Sequence, residues 1–382
     1  MPDSGAPLLK DFVDEALVAA LAKRFVSVVE RFDDAGMVAD VASALAGLEL
    51  KERIALLARS LAARLPGDFP AAAELVVAAV RLDPPPSGWE AWPLATFVEL
   101  FGVDHPGEAL DAMETITRFA SCEFAIRPQL ERHADTAFAR LERWVGHPDE
   151  AVRRLVSEGT RPLLPWGKRV AALRESPERA LALAERLRRD PSETVRRSVA
   201  NHLNDVSKEH PDLAVAAARR WARDDSPEVD AVIRRGLRTL VKRGHSGALE
   251  VLGFTTDPDL VVESFTCTPG RLAVGGRVEL AATVRSTGER AQRLVVDCVV
   301  HYVKANGSTS PKVFTWTTLH LEPGETATVR RRQWFRDQST RTHRPGEHVI
   351  VLQIAGVAAA ETRCTLLPGY SDLTAAEPTT PG

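Results

Sequence analysis

A chain of 382 residues has room for two or three domains. Its hydrophobic share of 44% and charged share of 26% are ordinary for a globular protein, which excludes a low-complexity or collagen-like chain. No apolar run reaches the ~18 residues that a membrane-spanning helix needs. The net charge of −3 hides an asymmetry: residues 1–117 carry roughly −10 and residues 118–250 roughly +6, a segregation that suits an anionic partner for the middle third or, more blandly, a set of solvated arginine-rich helix faces.

MPDSGAPLLKDF at the start lacks a basic stretch followed by an apolar one, so it does not read as a secretory signal. Cys122, Cys267, Cys298 and Cys364 form no CxxC pair. Sparse, unpaired cysteines without a signal point to reduced thiols and a cytoplasmic protein. Zincin, nucleophile-elbow, P-loop and dinucleotide-binding patterns are all absent.

Residues 8–250 read as successive helices. In 16–32, 48–65 and 180–190 apolar residues recur at intervals of three and four, which lines one face of an α-helix. HPDEAVRRLVSEGTRP (147–162) aligns with DPSETVRRSVANHLND (190–205), and SPEVDAVIRRGLRTL (226–240) is a looser third copy. Each opens on a helix-start signal; in the second, Asp190 reads as the cap, Pro191 as the first helical residue, and Glu193 as an acid suited to the helix dipole. A helical period of about 40 residues is typical of HEAT-type repeats, which stack into a curved array.

Composition changes near Pro258. RVELAATVR (277–285) alternates, with Val278, Leu280, Ala282 and Val284 on one face. The runs 294–303, 312–321, 325–335, 347–355 and 361–367 follow, separated by turn signals such as Asn306-Gly307 and Pro323-Gly324. About seven strands are expected, in an immunoglobulin-like sandwich. The sequence therefore predicts an α superhelix of HEAT-like repeats over 1–255, an all-β immunoglobulin-like sandwich over 258–368, and a disordered tail over 369–382.

The helical pattern breaks at SEGTRPLLPWGKRV (157–170). On a helix over 149–158, Ala151, Val152, Leu155 and Val156 form the buried stripe, while Arg154 and Glu158 stand four apart on the other side. The aligned repeat carries Asn201 where this one carries Glu158, so the scaffold does not require an acid there. Glu158 either simply pairs with Arg154 or has a local task. Glu123-Phe124-Ala125-Ile126-Arg127-Pro128 loosely mirrors Glu158-Gly159-Thr160-Arg161-Pro162, which would bring Glu123 and Glu158 to one groove at successive helix ends. Trp166 is either a core tryptophan or, between Pro165 and Gly167, partly exposed.

Arg154, Arg161, Lys168, Arg169, Arg196, Arg197 and Lys208, with Asn201, His202 and Asn204, form a pattern suited to phosphate contact along a groove. Taken singly each reads as a solvated side chain, and His133, His147, His202, His210 and His245 as surface or capping residues. In the β part, Arg341, His343 and Arg344 lie in a basic loop that would contact DNA, unless the domain is passive. Cys267, Cys298 and Cys364 are expected as small core residues.

KDFVDEALV, GLELKERI, TRFASCEFAIRP, RRLVSEGTRPLLPWGKRV and RRSVANHLNDVSKEHPD together resemble the AlkC branch of the AlkC/AlkD family of bacterial DNA glycosylases. SEGTRPxLPW followed by SVANHLND is the specific part, and the shared stretches cover most of the helical region. The resemblance implies HEAT-like repeats cradling damaged duplex DNA, with an immunoglobulin-like domain after them in some members. It implies excision of N3-alkylated bases, chiefly N3-methyladenine, with Glu123 and Glu158 as the catalytic carboxylates and Trp166 as their aromatic partner at the lesion. The visible departure is Leu163, where a basic residue is expected; its loss would weaken one phosphate contact.

That chemistry suits the residues. An N3-alkylated adenine is cationic, so its glycosidic bond is already activated. Carboxylates would stabilise the positive charge developing on the sugar and hold a water, as in glycoside hydrolysis. No cofactor or metal is called for, and the expected partner is alkylated double-stranded DNA bound by a monomer away from membranes. A non-catalytic damage binder and a protein-binding HEAT scaffold are the other readings.

Overall fold

The computed structural model describes residues 8–337 and 342–368. The expected tail at 369–382 and Arg341 lie outside them. The chain divides into two compact units, residues 1–236 and 237–382.

The first unit is helical. Its helices are α1 (Glu15–Val26), α2 (Asp34–Ala44), α3 (Leu50–Ala62), α4 (Phe69–Val80), α5 (Gly88–Phe101), α6 (Pro106–Ile116) and α7 (Ile126–Arg132). Then come α8 (Ala134–Trp144), α9 (Glu150–Gly159), α10 (Ala171–Glu175), α11 (Glu178–Arg186), α12 (Glu193–Glu209), α13 (Pro211–Trp221) and α14 (Pro227–Gly236). The long helix α12 packs between α9 and α14. Val152, Leu155 and Val156 of α9 and Val195, Val199 and Leu203 of α12 are all fully buried, which is the stripe that the three-and-four spacing encodes.

The sequence echo reappears as repeated hydrogen bonds. Arg153 Nη1 donates to the carbonyls of His147 (2.8 Å) and Pro148 (2.9 Å). Its counterpart Arg196 donates likewise to those of Asp190 (2.5 Å) and Pro191 (2.9 Å). Each arginine thus fastens the loop ahead of its own helix. Asp190 departs from expectation. The cap position of α12 is Ser192, two residues later, and Asp190 is a buried anchor for Arg153, with contacts of 2.6 and 2.9 Å. Its second task is to accept the Ser192 N–H at 2.9 Å.

In the second unit two short helices, α15 (Arg238–Lys242) and α16 (Ser246–Val251), precede eight strands. Strands β1 (Leu260–Thr268), β3 (Arg277–Ser286) and β6 (Thr326–Trp334) form one sheet in the order β1-β3-β6. Strands β2 (Arg271–Ala273), β4 (Gln292–Val303), β5 (Thr309–Leu321), β7 (Gly346–Ile354) and β8 (Val357–Leu367) form the other, ordered β2-β8-β7-β4-β5. Val278, Leu280, Ala282 and Val284 face the core between the sheets, as their alternation requires. Cys298 and Cys364 are buried there, whereas Cys267 is only half-buried.

The helical part of the sequence was expected to end at 255, yet the compact units divide at Gly236. Leu249 of α16 packs with Val295 and Ala355 of the sandwich. A Cβ on Gly356 would lie 1.9 Å from the Gly244 Cα, so the turn between β7 and β8 approaches the α15–α16 link as closely as backbones can. Helical in local pattern, α15 and α16 belong to the sandwich by packing.

Asp297 on β4 is 1% exposed, and neither carboxylate oxygen has a hydrogen-bond partner of good geometry. Burial raises its pKa above the ordinary carboxylate range, and Thr315, Lys242 and Arg331 only partly offset the effect. The native state therefore favours the neutral acid, and stability is lost as pH rises through the folded pKa. Asp297→Asn is expected to raise the Tm at pH 7, with the gain shrinking as pH falls toward ~4, the unfolded value. Calorimetry across that range checks it; an equal or lower Tm at pH 7 would contradict the account.

Candidate functional site

The helix α9 ends where the sequence pattern breaks, and Arg127 of α7 is why the break is ordered. Arg127 is 1% exposed. Its Nη1 donates to the carbonyls of Gly159 (2.9 Å) and Arg161 (3.0 Å), and its Nε to that of Lys168. The C-terminal carbonyls of a helix lack partners within it and carry partial negative charge, so a guanidinium satisfies both needs. Burial, and then Arg161, lower the Arg127 pKa to about 10, which leaves it charged at neutral pH. Gly159 allows the approach, since a Cβ there would lie 2.6 Å from Ile126 Cγ2. Arg127-Pro128 lies in the first turn of α7, so the expected mirror of two helix ends fails on one side. Glu123 precedes a helix, while Glu158 stands near the end of one.

The acids and bases alternate in space. Glu123 Oε2 accepts from Ser121 Oγ (2.7 Å) and Arg154 Nη1 (3.2 Å). Arg154 Nη2 lies 3.8 Å from Glu158 Oε2. Glu158 Oε1 accepts from Arg161 Nη1 (2.6 Å), and its Oε2 from Ser198 Oγ (2.6 Å). Arg161 Nε donates to Asp205 Oδ2 (2.8 Å), and Lys208 Nζ donates to Asp205 Oδ1 (3.1 Å). Burial pushes the Glu158 pKa up, but Arg161, Ser198 and Arg154 outweigh it and hold the carboxyl below its ordinary range. Burial likewise opposes the charge on Arg161, and Asp205 and Glu158 more than offset it.

The two predicted carboxylates are thus joined through Arg154, but they differ in surroundings. Glu158 is 6% exposed and both of its oxygens are engaged. Glu123 is half-buried and lines a cavity of about 310 Å³ with Gly88, Trp92, Ser121, Phe124 and Trp166. Its Oε1 accepts no hydrogen bond among the described residues. Trp166 is 63% exposed, as its place between Pro165 and Gly167 suggests, and it adopts a left-handed backbone with φ of 62°. Trp92 and Phe124 are wall residues that sequence reading did not single out. They sit within ordinary helical or turn patterns, and nothing in their spacing marks them.

Several expected phosphate contacts are buried instead. Arg161 (8% exposed) is committed to Glu158 and Asp205. His202 is fully buried, with Nδ1 3.1 Å from the Ser157 carbonyl; burial lowers its pKa to about 4, so it is neutral, and it is neither a surface nor a capping residue. Asn204 is buried in α12. His343 is buried edge-on against Tyr302 and Phe335. None of the four presents its side chain to a phosphate backbone. Arg154 is half-buried between the two glutamates. Lys168 and Arg197 are exposed and pair with Glu131 and Glu193. Arg169 and Arg344 are exposed, Asn201 and Arg196 half-buried, and Lys208 exposed beyond its Asp205 contact. Arg196 and Arg197 line a larger cavity of about 620 Å³ with Arg234 and Arg235.

A family model described as DNA alkylation repair enzyme matches residues 112–232, the stretch that holds this site. A second, the C-terminal Ig-like domain of the uncharacterised protein YhaZ, matches residues 261–368. YhaZ of Bacillus subtilis (strain 168) is 36% identical over 309 residues, covering 81% of this chain and 85% of its own. The Pseudomonas fluorescens alkylpurine DNA glycosylase AlkC, solved bound to DNA containing an abasic site analog, superposes with a TM-score of 0.87. It is 33% identical, over 94% of this chain and all of that one. The chain belongs to the AlkC-type DNA alkylation repair family. The HEAT-like helical array followed by an immunoglobulin-like domain is the architecture that its sequence predicts. No helix among the described residues is long and apolar enough to cross a membrane. Nor do the described residues gather three or more His, Cys, Asp or Glu as a metal site.

Removing the Arg127 guanidinium strands three carbonyls under the 159–168 segment. Hydrogen bonds from a charged donor are worth roughly 1.5–3 kcal/mol each. Arg127→Met is expected to cost about 3 kcal/mol or more, read as a lower urea midpoint for the helical unit. An unchanged midpoint would show that the clip is not needed.

Proposed function

We propose that the protein is a DNA glycosylase that releases N3-alkylated purines, chiefly N3-methyladenine, from alkylated duplex DNA by hydrolysis of the N-glycosidic bond. The observation that carries this reading is a half-satisfied carboxylate, Glu123, in an aromatic-walled cavity beside the exposed Trp166. A cationic base is a good leaving group and needs little acid assistance. The protein's part is to stabilise positive charge on the deoxyribose and to orient a water. The Oε1 of Glu123 serves both purposes. Trp166 faces the cationic nucleotide with its π surface, an attraction that strengthens as water is excluded.

Glu158 acts from behind. Buried, with a hydrogen bond to each oxygen, it holds Arg154 and Arg161 in place and adds a fixed negative potential. DNA enters as the partner on the strength of the exposed cations, Lys168, Arg169, Arg197 and Lys208, with Arg196 at the larger cavity. Arg344, and Arg341 beside it in sequence, remain proposed contacts from the second unit. A pair of acids would weaken mere DNA binding by repelling phosphate, which favours the catalytic reading over a damage binder or a protein scaffold.

The wild type is expected to release free N3-methyladenine from methylated duplex DNA. Glu123→Gln should keep affinity within about twofold and lose on the order of a hundredfold or more in single-turnover excision, the scale of losing one preorganised electrostatic group. Glu158→Gln should also lose excision, with a lower Tm because Arg161 and Arg154 lose a buried counter-charge. Normal excision by Glu123→Gln would end the assignment; no release by the wild type, with DNA still bound, would leave a damage binder.

Because the Glu158 pKa is held low, excision should stay flat on its account from pH 8 down to about 5 and decline only as pH falls into the carboxylate range. A rate that drops with a midpoint near 6.5 would implicate a histidine instead.

A further inference from the structure

Trp166 is an exposed tryptophan in a left-handed backbone conformation, which an L residue with a bulky side chain rarely adopts unless its surroundings enforce it. One contact that can enforce it comes from far along the chain. Lys51, in the first turn of α3, donates its Nζ to the Trp166 carbonyl at 2.9 Å, across a separation of 115 residues. The same Nζ lies 4.8 Å from the centre of the Phe124 ring. Phe124 and Trp92 wall the cavity that Trp166 and Glu123 share, and they also wall a second cavity of about 170 Å³, lined in part by Lys51 and Glu99. One ammonium therefore touches both the peptide that carries the indole and the ring next to the catalytic candidate.

We propose that Lys51 is a positioning residue for the lesion site, fixing the Trp166 peptide and the Phe124 ring so that the indole is set beside Glu123. The role rests on the glycosylase reading above. An ammonium suits it: it donates to the carbonyl as a charged donor while its positive charge sits over the aromatic face. Glu99 of α5 lines the smaller cavity with Lys51; burial raises its pKa, and Lys51 and then Lys168 offset that only in part. Packing alone would not need such a link, since Lys51 itself is exposed.

The test uses the full chain labelled with 5-fluorotryptophan, the Trp166 ¹⁹F resonance being identified by its loss in Trp166→Phe. In Lys51→Met that resonance should move or broaden while the tryptophans outside these two cavities stay put. In Lys51→Arg, whose guanidinium also donates and stacks, it should return toward the wild-type position. Single-turnover release of N3-methyladenine should fall about tenfold in Lys51→Met and recover in Lys51→Arg, with affinity for undamaged duplex changed less than twofold. An unmoved Trp166 resonance overturns the proposal, as does a moved resonance with an unchanged excision rate. Equal losses in rate, affinity and Tm without rescue by arginine would make Lys51 merely structural and also overturn it. If the wild type releases no base while the resonance responds as expected, the glycosylase reading has failed and the catalytic role of Lys51 with it, but the contact itself stands.

Discussion

The site depends on a run of alternating charges: Glu123, Arg154, Glu158, Arg161, Asp205 and Lys208. Burying any one of the inner members alone would cost several kcal/mol in lost hydration. Each inner member instead has an opposite charge on both sides, at separations from 2.6 to 3.8 Å. At an effective dielectric near 20, attraction at ~4 Å is about 4 kcal/mol, enough to offset much of that penalty. The run crosses from the turn before α7 through α9 and its following loop to α12. It fixes three segments of chain relative to one another with charges rather than with apolar contact alone.

Such an array stores little net stability, because apolar residues of the same volume would pack as well. What it supplies is position. The hydroxyl of Ser198 reaches Glu158 from α12, and Ser157 donates in turn to Ser198 at 2.7 Å. The orientation of Glu158 is thereby decided by two helices and a loop. Arg127 performs the parallel task for the backbone, gathering the end of α9 and the next turns of the chain onto α7. Side chains and main chain at the helix break are therefore both held by buried arginines. The prolines and glycines of 157–170 shape the segment, and the guanidinium groups keep it in one shape.

The parts of this arrangement that are local were legible in the sequence. The spacing on α9 put Arg154 and Glu158 together, Pro165 and Gly167 favoured partial exposure over a core place for Trp166, and the alternation of β3 set its inward face. The parts that depend on distant partners were not. Arg161 looks like any arginine after a helix until Asp205, 44 residues on, is seen to bind it. His202 is buried only because α9 lies across it, with Ser157 as its contact 45 residues back. Helices α15 and α16 carry helical periodicity, and nothing within them says that their apolar face meets a sheet. Periodicity reports that a face is buried; it does not report against what.

The asymmetry between the two glutamates follows from the same physics. A carboxylate that is to answer a developing positive charge must be ionised beforehand, yet not already neutralised at close range. Both demands cannot be met at one fully buried position. Buried Glu158 is held below the ordinary carboxylate range only because Arg161, Ser198 and Arg154 outweigh burial, and with both oxygens engaged and little of it exposed it offers little to a water or a sugar. Glu123 sits half-buried at the end of the run, where it faces the cavity and shares Arg154 with Glu158. One of its oxygens is spent on Ser121 and Arg154, and the other is not. Arg154 lies 3.2 Å from Glu123 and 3.8 Å from Glu158, so its charge is divided between the two acids. On the proposed chemistry the interior acid is thus what keeps the outer one effective, and the aromatic cavity is where that charge is felt.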